Sequence, residues 1–329
     1  MVGANGAGKT NLLEALHVGT QGFSLRTHRE ARVVRFGADA ARVAVSGHLV
    51  AGRPFETEVM LDGAGRKRLL LDGAQLTSND DLRKRFPVLA FTPDRLAIVK
   101  GGPALRRAYL DRMLGRLFPA RADLPSTYGR ALAQRNASLR RVAGGLSSRE
   151  ALMPWNEALA RAGSELDATR AEAISALSEP FERTAETLGL PGARLGYSFR
   201  GLTVDDLEKS LERDLERGTT RIGPHLRDVE VAAGGRDLRQ FGSQGEQRIA
   251  VLSLVLGEAR LVAERRGEPP LVLLDDVLSE LDDRRREALL SEVPTGFQTI
   301  VTVTTLRSLP SSVRPALVVD VAPGRALAR

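Results

Sequence analysis

Eight residues near the start of the chain, Gly3-Ala4-Asn5-Gly6-Ala7-Gly8-Lys9-Thr10, place three glycines, a lysine and a threonine at the spacing G-x-x-x-x-G-K-[ST]. A loop of this kind turns consecutive backbone N–H groups inward around a phosphate, a geometry that a Cβ would obstruct. Lys9 would bring positive charge to the β- and γ-phosphates, and the Thr10 hydroxyl would ligate Mg²⁺. Asn11-Leu12-Leu13-Glu14-Ala15-Leu16 follows as a helix-forming run whose N-terminal dipole favours the same anion.

Two further groups match that chemistry. Leu271-Val272-Leu273-Leu274 follows Pro269-Pro270 and ends in Asp275-Asp276, the pattern of a buried parallel strand with carboxylates at its C-terminal tip. Ligands of open α/β sheets bind at such tips. In hydrolysis of ATP, Asp275 would hold the water shell of the metal and Asp276 would orient the attacking water. The plainer alternative for the pair is a helix N-cap and its neighbour. Ser243-Gln244-Gly245 opens another helix with a hydroxyl and glycine amides, a second anion site. One chain needs only one γ-phosphate cradle, so this tip would face the ATP of a second copy across a two-fold interface, near Ser279-Glu280-Leu281-Asp282. Taken alone, it could be an ordinary capped helix start.

These groups need elements to hold them. A phosphate loop is launched by a buried strand, and only Met1-Val2 precede Gly3, so the expectation is that the written start is too late. Arg42 to Val50, Phe55 to Leu61 and Arg66 to Leu71 alternate as strands, and Asp62-Gly63 and Asp72-Gly73 mark turns, so a small antiparallel meander is expected. Val88 to Phe91 reads as a strand closed by Thr92-Pro93-Asp94.

From Pro103 to about Leu190 the pattern is helical. Leu105, Tyr109, Met113 and Leu117 form one apolar face, and Trp155, Leu159, Ala162, Leu166 and Ala173 another. Pro119, Pro125, Pro154, Pro180 and Pro191 are each expected to end or kink a helix. Arg106, Arg107, Arg112, Arg116, Arg130, Arg135, Arg140 and Arg141 are assigned to the outward face, as a solubilising surface or a phosphate-contacting one. Leu195 to Phe199 and Val229 to Ala232 return to β pattern around a charged helix from Asp205 to Arg217. The helix after Ser243 is apolar almost all round and must be buried. Thr299 to Val303 and Ala316 to Val321 supply two more strands. Phosphate loop and paired acids lie at opposite ends of the chain, so the helical lobe, 103–192, is expected as an insertion in one α/β domain made of 1–102 and 193–329.

Composition sets outer limits. The 329 residues, 42% of them hydrophobic, suffice for one large core or two modest ones. No apolar run approaches the ~20 residues of a membrane span, and no membrane partner is expected. The absence of cysteine excludes disulfides, thiolate metal sites and cysteine nucleophiles and fits the cytoplasm. A formal charge of +7 favours a polyanionic partner, whereas 4% aromatic content argues against base stacking as the main mode of contact. The tract Arg26, His28, Arg29, Arg32 and Arg35 reads equally well as a solvated loop or an anion contact.

Several stretches together carry a family resemblance over nearly the whole chain. They are Gly3 to Ala15, Phe91-Thr92-Pro93-Asp94 with Val99-Lys100-Gly101, Arg106 to Asp111, Gln134-Arg135-Asn136, Gly223-Pro224-His225, Ser243 to Arg248, and Leu273 to Asp282. In this order they resemble the RecF family of bacterial recombination mediators, within the SMC/ABC-type ATPases. The resemblance implies an ABC-type P-loop ATPase fold of mixed sheet and helices, with an inserted helical lobe and with the family's first strands missing ahead of the loop. It implies an ATP-dependent, slowly hydrolysing dimer that binds DNA at gaps or single-stranded/double-stranded junctions and works with RecO and RecR to load RecA. It assigns Gly3, Ala4, Asn5, Gly6, Ala7, Gly8, Lys9, Thr10 and Asn11 to ATP, and Thr10 and Asp275 to Mg²⁺. Lys9, Asp275 and Asp276 would serve catalysis, and Ser243, Gln244 and Gly245 would contact ATP of the opposite subunit. After Gly223-Pro224-His225 the family tends to continue Arg-Asp-Asp, whereas here Leu226-Arg227-Asp228-Val229 follows, so no role carries over to Arg227 or Asp228.

Two rival readings stay open. One is another SMC/ABC-type ATPase acting as a nucleotide-gated DNA scaffold. The other is an ABC ATPase of a system without DNA. A long-armed SMC-type protein would need sustained heptads, against which the prolines argue.

Overall fold

The computed structural model describes residues 1–27 and 29–329, so His28 of the basic tract lies outside the described residues. By contact the chain divides into two units. One is Met1–Leu96 with Arg183–Leu190 and Val251–Arg329; the other is Ala97–Glu182 with Pro191–Ala250. Among the described residues no helix is long and apolar enough to cross a membrane.

The first unit holds two sheets and the helices that cover them. β1 (Ala40–His48), β2 (Pro54–Asp62), β3 (Lys67–Leu71) and β4 (Ala74–Leu76) form the expected antiparallel meander. Alternation along β2 and β3 turns Val59, Leu61 and Leu69 inward. There they share a core with Leu13 and Val18 of α1 (Lys9–Gln21), and with Leu82 of α2 (Asn79–Arg85) and Phe86. The second sheet is parallel. β9 (Leu271–Leu274) lies between β5 (Val88–Phe91) and β10 (Thr299–Val301), with Leu274 opposite both Phe91 and Val301. A strand with neighbours on both edges and helices on its faces has no polar side, which accounts for the unbroken Leu-Val-Leu-Leu.

The segment ahead of the phosphate loop is hydrogen-bonded on both edges. Val2 N–H donates to Val319 O and Val321 N–H donates to Val2 O, at 2.8 and 2.7 Å. On the other edge, Gly3 N–H donates to Val303 O (3.2 Å) and Val303 N–H to Met1 O (2.9 Å). Met1 to Gly3 thus lies parallel between the continuation of β10 and β11 (Val319–Ala322), which pairs antiparallel with β12 (Arg325–Ala328). Both edges of this short segment are thus bonded to backbone. α11 (Asp283–Glu292) is N-capped by the Asp282 carboxylate, which accepts Arg285 N–H at 2.8 Å.

The second unit is mainly helical, with α3 (Ala97–Lys100), α4 (Pro103–Leu117), α5 (Leu124–Ala143) and most of α6 (Met153–Thr187). It also holds an antiparallel sheet of β6 (Ala193–Tyr197), β7 (Val229–Ala233) and β8 (Arg236–Asp237). Its remaining helices are α7 (Val204–Lys209), α8 (Leu211–Arg217), α9 (Leu238–Phe241) and the first turns of α10 (Gln244–Arg266).

Four sequence expectations are corrected here. α6 does not end at Pro180 but continues to Thr187, because Leu177 and Phe181 on either side are fully buried and hold the helix against the loss of one backbone bond. Leu105 is 45% exposed and stands outside the apolar face that Tyr109, Met113 and Leu117 make. The charged stretch from Asp205 to Arg217 is two helices, broken at Ser210, whose hydroxyl donates to Asp214.

The fourth correction concerns the arginines. Arg106 and Arg135 do not face outward: they are 5% and 0% exposed. Arg106 forks onto both oxygens of Asp228, at 2.8 and 2.5 Å, and also donates to the carbonyls of Val99 and Gly101. Arg135 donates to Asn156 Oδ1, Asp214 Oδ2 and Thr220 Oγ1, at 2.7, 2.8 and 2.7 Å. A buried guanidinium persists only when its N–H groups are matched this completely. The same logic fixes His225. Its Nε2–H donates to Thr220 O, so Nδ1 accepts the Tyr128 hydroxyl proton at 2.6 Å, and burial lowers its pKa and keeps the ring neutral.

Removing Asp214 strands the Arg135 charge in the interior. Asp214→Ala is therefore expected to cost about 3–5 kcal/mol of unfolding free energy. Denaturant titration measures it, and a loss of less than about 1 kcal/mol contradicts the assignment.

Candidate functional site

Sheet register brings the chemistry together at one edge of the first unit. Val2, Phe91, Leu274 and Val301 end neighbouring strands, so the loop at Gly3 and the residues Thr92, Asp275 and Thr302 emerge side by side. They border a cleft of about 460 Å³, lined by Asn5, Gly6, Gly8, Lys9, Thr10 and Asn11 from the loop and α1, and by Asp275 and Asp276 from the tip of β9. Thr92, Pro93, Asp94, Thr302 and Arg26 complete the lining.

The loop has the backbone its composition implies. Gly6 and Gly8 have φ of 78° and 104°, in the left-handed region where a side chain is strained, and Gly8 is the N-cap of α1. At Gly3 the reason is contact instead, because a Cβ there would lie 2.3 Å from the Val321 carbonyl oxygen. Ala4 and Ala7 shape the turn, with Ala7 N–H donating to Ala4 O at 3.2 Å. Lys9 is almost buried, and its ammonium donates to the carbonyls of Gly3 and Ala4 at 2.6 and 2.9 Å. A cation folded onto its own loop in this way is held where a phosphate bound by the loop amides would meet it.

The paired acids are arranged by a residue that sequence reasoning missed. Thr302 Oγ1 donates to Asp275 Oδ1 at 2.7 Å and accepts Asp276 N–H at 2.8 Å. Asp275 is buried, and its Oδ2 has no partner among the described residues; Asp276 is exposed to the cleft. Asp276 also has φ of 48°, one of two non-glycine residues in the left-handed region among those described. Such a conformation persists only where surrounding bonds hold it, and the Thr302 hydroxyl is one of those bonds. Thr92 was also missed. It is 3% exposed, lines the cleft, and its Oγ1 has no hydrogen-bond partner among the described residues. The available signal was position: both threonines directly follow an apolar strand end in a parallel sheet.

A magnesium-bound triphosphate fits these donors. The Thr10 hydroxyl and the two carboxylates are hard oxygen ligands suited to Mg²⁺. Among the described residues no cluster of three or more His, Cys, Asp or Glu could hold a metal, so a bound Mg²⁺ would need further oxygen ligands from a nucleotide or water. The orphaned Thr92 hydroxyl offers a further donor.

Ser243, Gln244 and Gly245 belong to the other unit, where all three are exposed at the start of α10. Ser243 Oγ accepts Glu246 N–H at 3.2 Å, and Glu246 Oε2 accepts Ser243 N–H at 2.7 Å, a reciprocal capping box. The capping alternative therefore describes the local structure. It does not close the tip off, because Ser243, Gln244 and Gly245 all remain exposed to an external ligand.

The chain matches the family model for the RecF/RecN/SMC N-terminal domain over residues 1–318. The DNA replication and repair protein RecF of Heliobacterium modesticaldum is 36% identical over 321 residues, spanning 93% of this chain and 86% of that protein. The corresponding protein of Anaeromyxobacter sp. is 39% identical over 309 residues, 88% of this chain and 81% of its own. A solved structure described as the recombination mediator protein RecF with ATP in the RecFOR pathway superposes with a TM-score of 0.88 at 27% identity, covering 100% of this chain and 90% of the other. An SMC head domain bound to the C-terminal winged helix of ScpA shares the fold at 16% identity, with a TM-score of 0.58 over 100% of this chain and 88% of the other.

Thr302→Val keeps the side-chain shape but deletes both bonds to the acids, so ATP turnover should fall roughly 10- to 100-fold while ATP affinity barely changes. Unaltered turnover would show that Thr302 does not position the acids. The Glu246 carboxylate is held below its usual range by the N–H and hydroxyl of Ser243. Its stabilising share is complete above the ordinary glutamate value of about 4.3 and is lost as pH falls through the depressed value. The gap in thermal midpoint between wild type and Glu246→Gln should close as pH falls from neutral into that range; a gap independent of pH would contradict the capping box.

Proposed function

This chain belongs to the RecF family, and from that premise we propose that it is an ATP-dependent, DNA-binding recombination mediator that dimerises on ATP. With RecO and RecR it would promote RecA loading at gapped DNA in repair and replication restart, in the cytoplasm and away from membranes. The observation that supports this reading most is the cleft in which phosphate loop, paired acids and two strand-tip threonines converge.

In this reading the residues 3–11 bind ATP through backbone amides, Lys9 sets its charge against the β- and γ-phosphates, and Thr10 and Asp275 hold Mg²⁺. The bound cation would neutralise charge that develops on the transferred phosphoryl group. Asp276 orients the attacking water and accepts its proton at a carboxylate oxygen, while Thr302 fixes the backbone from which that carboxylate projects. Aspartate is one methylene shorter than glutamate, which favours slow turnover and hence a long-lived ATP state. Ser243, Gln244 and Gly245 would close on the ATP of a partner copy, with the Ser243 hydroxyl donating to a phosphate oxygen. The division at 1–102, 103–192 and 193–329 would then mean that the flanking parts supply the phosphate loop, the serine tip and the paired acids, with 103–192 as the inserted lobe.

Three variants separate the steps. Lys9→Ala should lose ATP binding by calorimetry. Ser243→Arg should bind ATP yet remain monomeric by light scattering. Asp276→Asn should form ATP dimers with phosphate release reduced by about 10²-fold or more. A Ser243→Arg protein that still dimerised with ATP would remove the shared-nucleotide reading.

A further inference from the structure

The second unit contains a cleft of about 460 Å³ that the ATP chemistry does not use. Arg200, Lys209, Arg213, Arg221 and Arg227 line it, against the single acid Asp206. They come from the loop after β6, from α7 and α8, and from the segment that follows α8. Arg200, Arg213 and Arg221 are exposed and make no ion pair among the described residues. Lys209 is shared with the exposed Asp205, and Arg227 pairs with the buried Asp167.

What distinguishes this cluster from a solvated charge run is its support. Asp167, fully buried, accepts the backbone N–H groups of Arg200 and Gly201 on one oxygen, at 3.2 and 3.1 Å. Asp214, also fully buried, accepts Arg221 N–H at 2.9 Å. Lys209 precedes Ser210, whose hydroxyl donates to Asp214, and Arg213 directly precedes Asp214 itself. Thr220, just before Arg221, donates to Asn136 through both its N–H and its hydroxyl. Arg200, Lys209, Arg213 and Arg221 are each therefore within one residue of a backbone or side-chain group anchored inside. The carboxylates that could have neutralised the cluster from within are committed to that anchoring. Buried ion pairs contribute little net stability, so this arrangement is poorly explained as reinforcement alone. It fixes guanidinium groups at the rim of a groove where one carboxylate, Asp206, stands against several cations, an excess of positive charge suited to successive phosphates.

We propose that this cleft is a contact site for the sugar–phosphate backbone of a nucleic acid, with Arg200, Arg213 and Arg221 on the phosphates. The assignment rests on the DNA-binding reading above and locates part of it. Arginine contacts of this type add affinity without base specificity and make binding salt-dependent.

The test compares wild type with the triple variant Arg200→Ala, Arg213→Ala, Arg221→Ala and with the corresponding triple lysine variant. Fluorescence anisotropy with a gapped DNA duplex, in ATP, gives affinity across a salt series; calorimetry gives ATP affinity, and a thermal melt checks folding. The alanine variant should bind DNA at least about tenfold more weakly, with the slope of log affinity against log salt reduced by roughly 2–3. Its ATP affinity and melting midpoint should match wild type, and the lysine variant should recover most of the DNA affinity. Unchanged DNA affinity and slope in the alanine variant overturn the site while leaving the DNA reading intact. If wild type itself binds no DNA with ATP, the broader reading fails and this site with it. A variant that keeps DNA but loses binding to poly-glutamate marks an acidic-protein surface and also overturns the proposal.

Discussion

The register of one small parallel sheet is the constraint on which the candidate site depends. Leu274 stands opposite Phe91 on one side and Val301 on the other, and Val2 is bridged to Val303 beyond them. Three strands therefore end level with one another, and the segment ahead of the phosphate loop joins the same edge two residues further along. Slipping any strand by one residue would turn its tip residue to the opposite face and take Thr92, Asp275 or Thr302 out of the cleft. Apolar side chains fix that register because β9 is buried on both faces. The core thus holds acids and phosphate loop together without any direct bond between them, and Thr302 supplies the one local adjustment that aligns both acids.

The second unit shows another use of buried charge. Arg106–Asp228, Arg135–Asp214, Arg170–Asp111 and Arg227–Asp167 are all ion pairs with at least one member buried. Each also binds backbone. Arg170, for example, donates to Pro224 O, and Arg107 beside Arg106 donates to Arg227 O. These arginines act as internal braces for irregular segments, 198–201 and 218–228, that regular secondary structure does not hold. Desolvation in this setting pushes Asp111 above the usual carboxylate range even with Arg170 beside it.

The site was legible in the sequence to the extent that it is made of local patterns. The loop Gly3–Thr10, the apolar run into Asp275-Asp276 and the capped start of α10 each announce themselves within ten residues. Thr302 and Thr92 do not, because their role arises from which strand lies next to which, a fact of topology. The arginine error has a similar root. Helical spacing located Arg106 and Arg135 on their helices but could not show that Asp228 and Asp214, about 120 and 80 residues further on, would come to meet them. At Pro180 a local rule does not tell whether the helix ends, because burial of Leu177 and Phe181 on both sides carries it on.

The central claim is that ATP is clasped between the glycine loop of one copy and the Ser243 tip of another. The chain has no cysteine, so single thiols can be placed at will. An Asn5→Cys protein mixed with a Ser243→Cys protein, each checked for ATP binding, can be treated with a short bis-maleimide with and without ATP. The account predicts a crosslinked dimer in the mixture, dependent on ATP and absent when either variant is treated alone. ATP-dependent dimers that form in the mixture but never crosslink would contradict it.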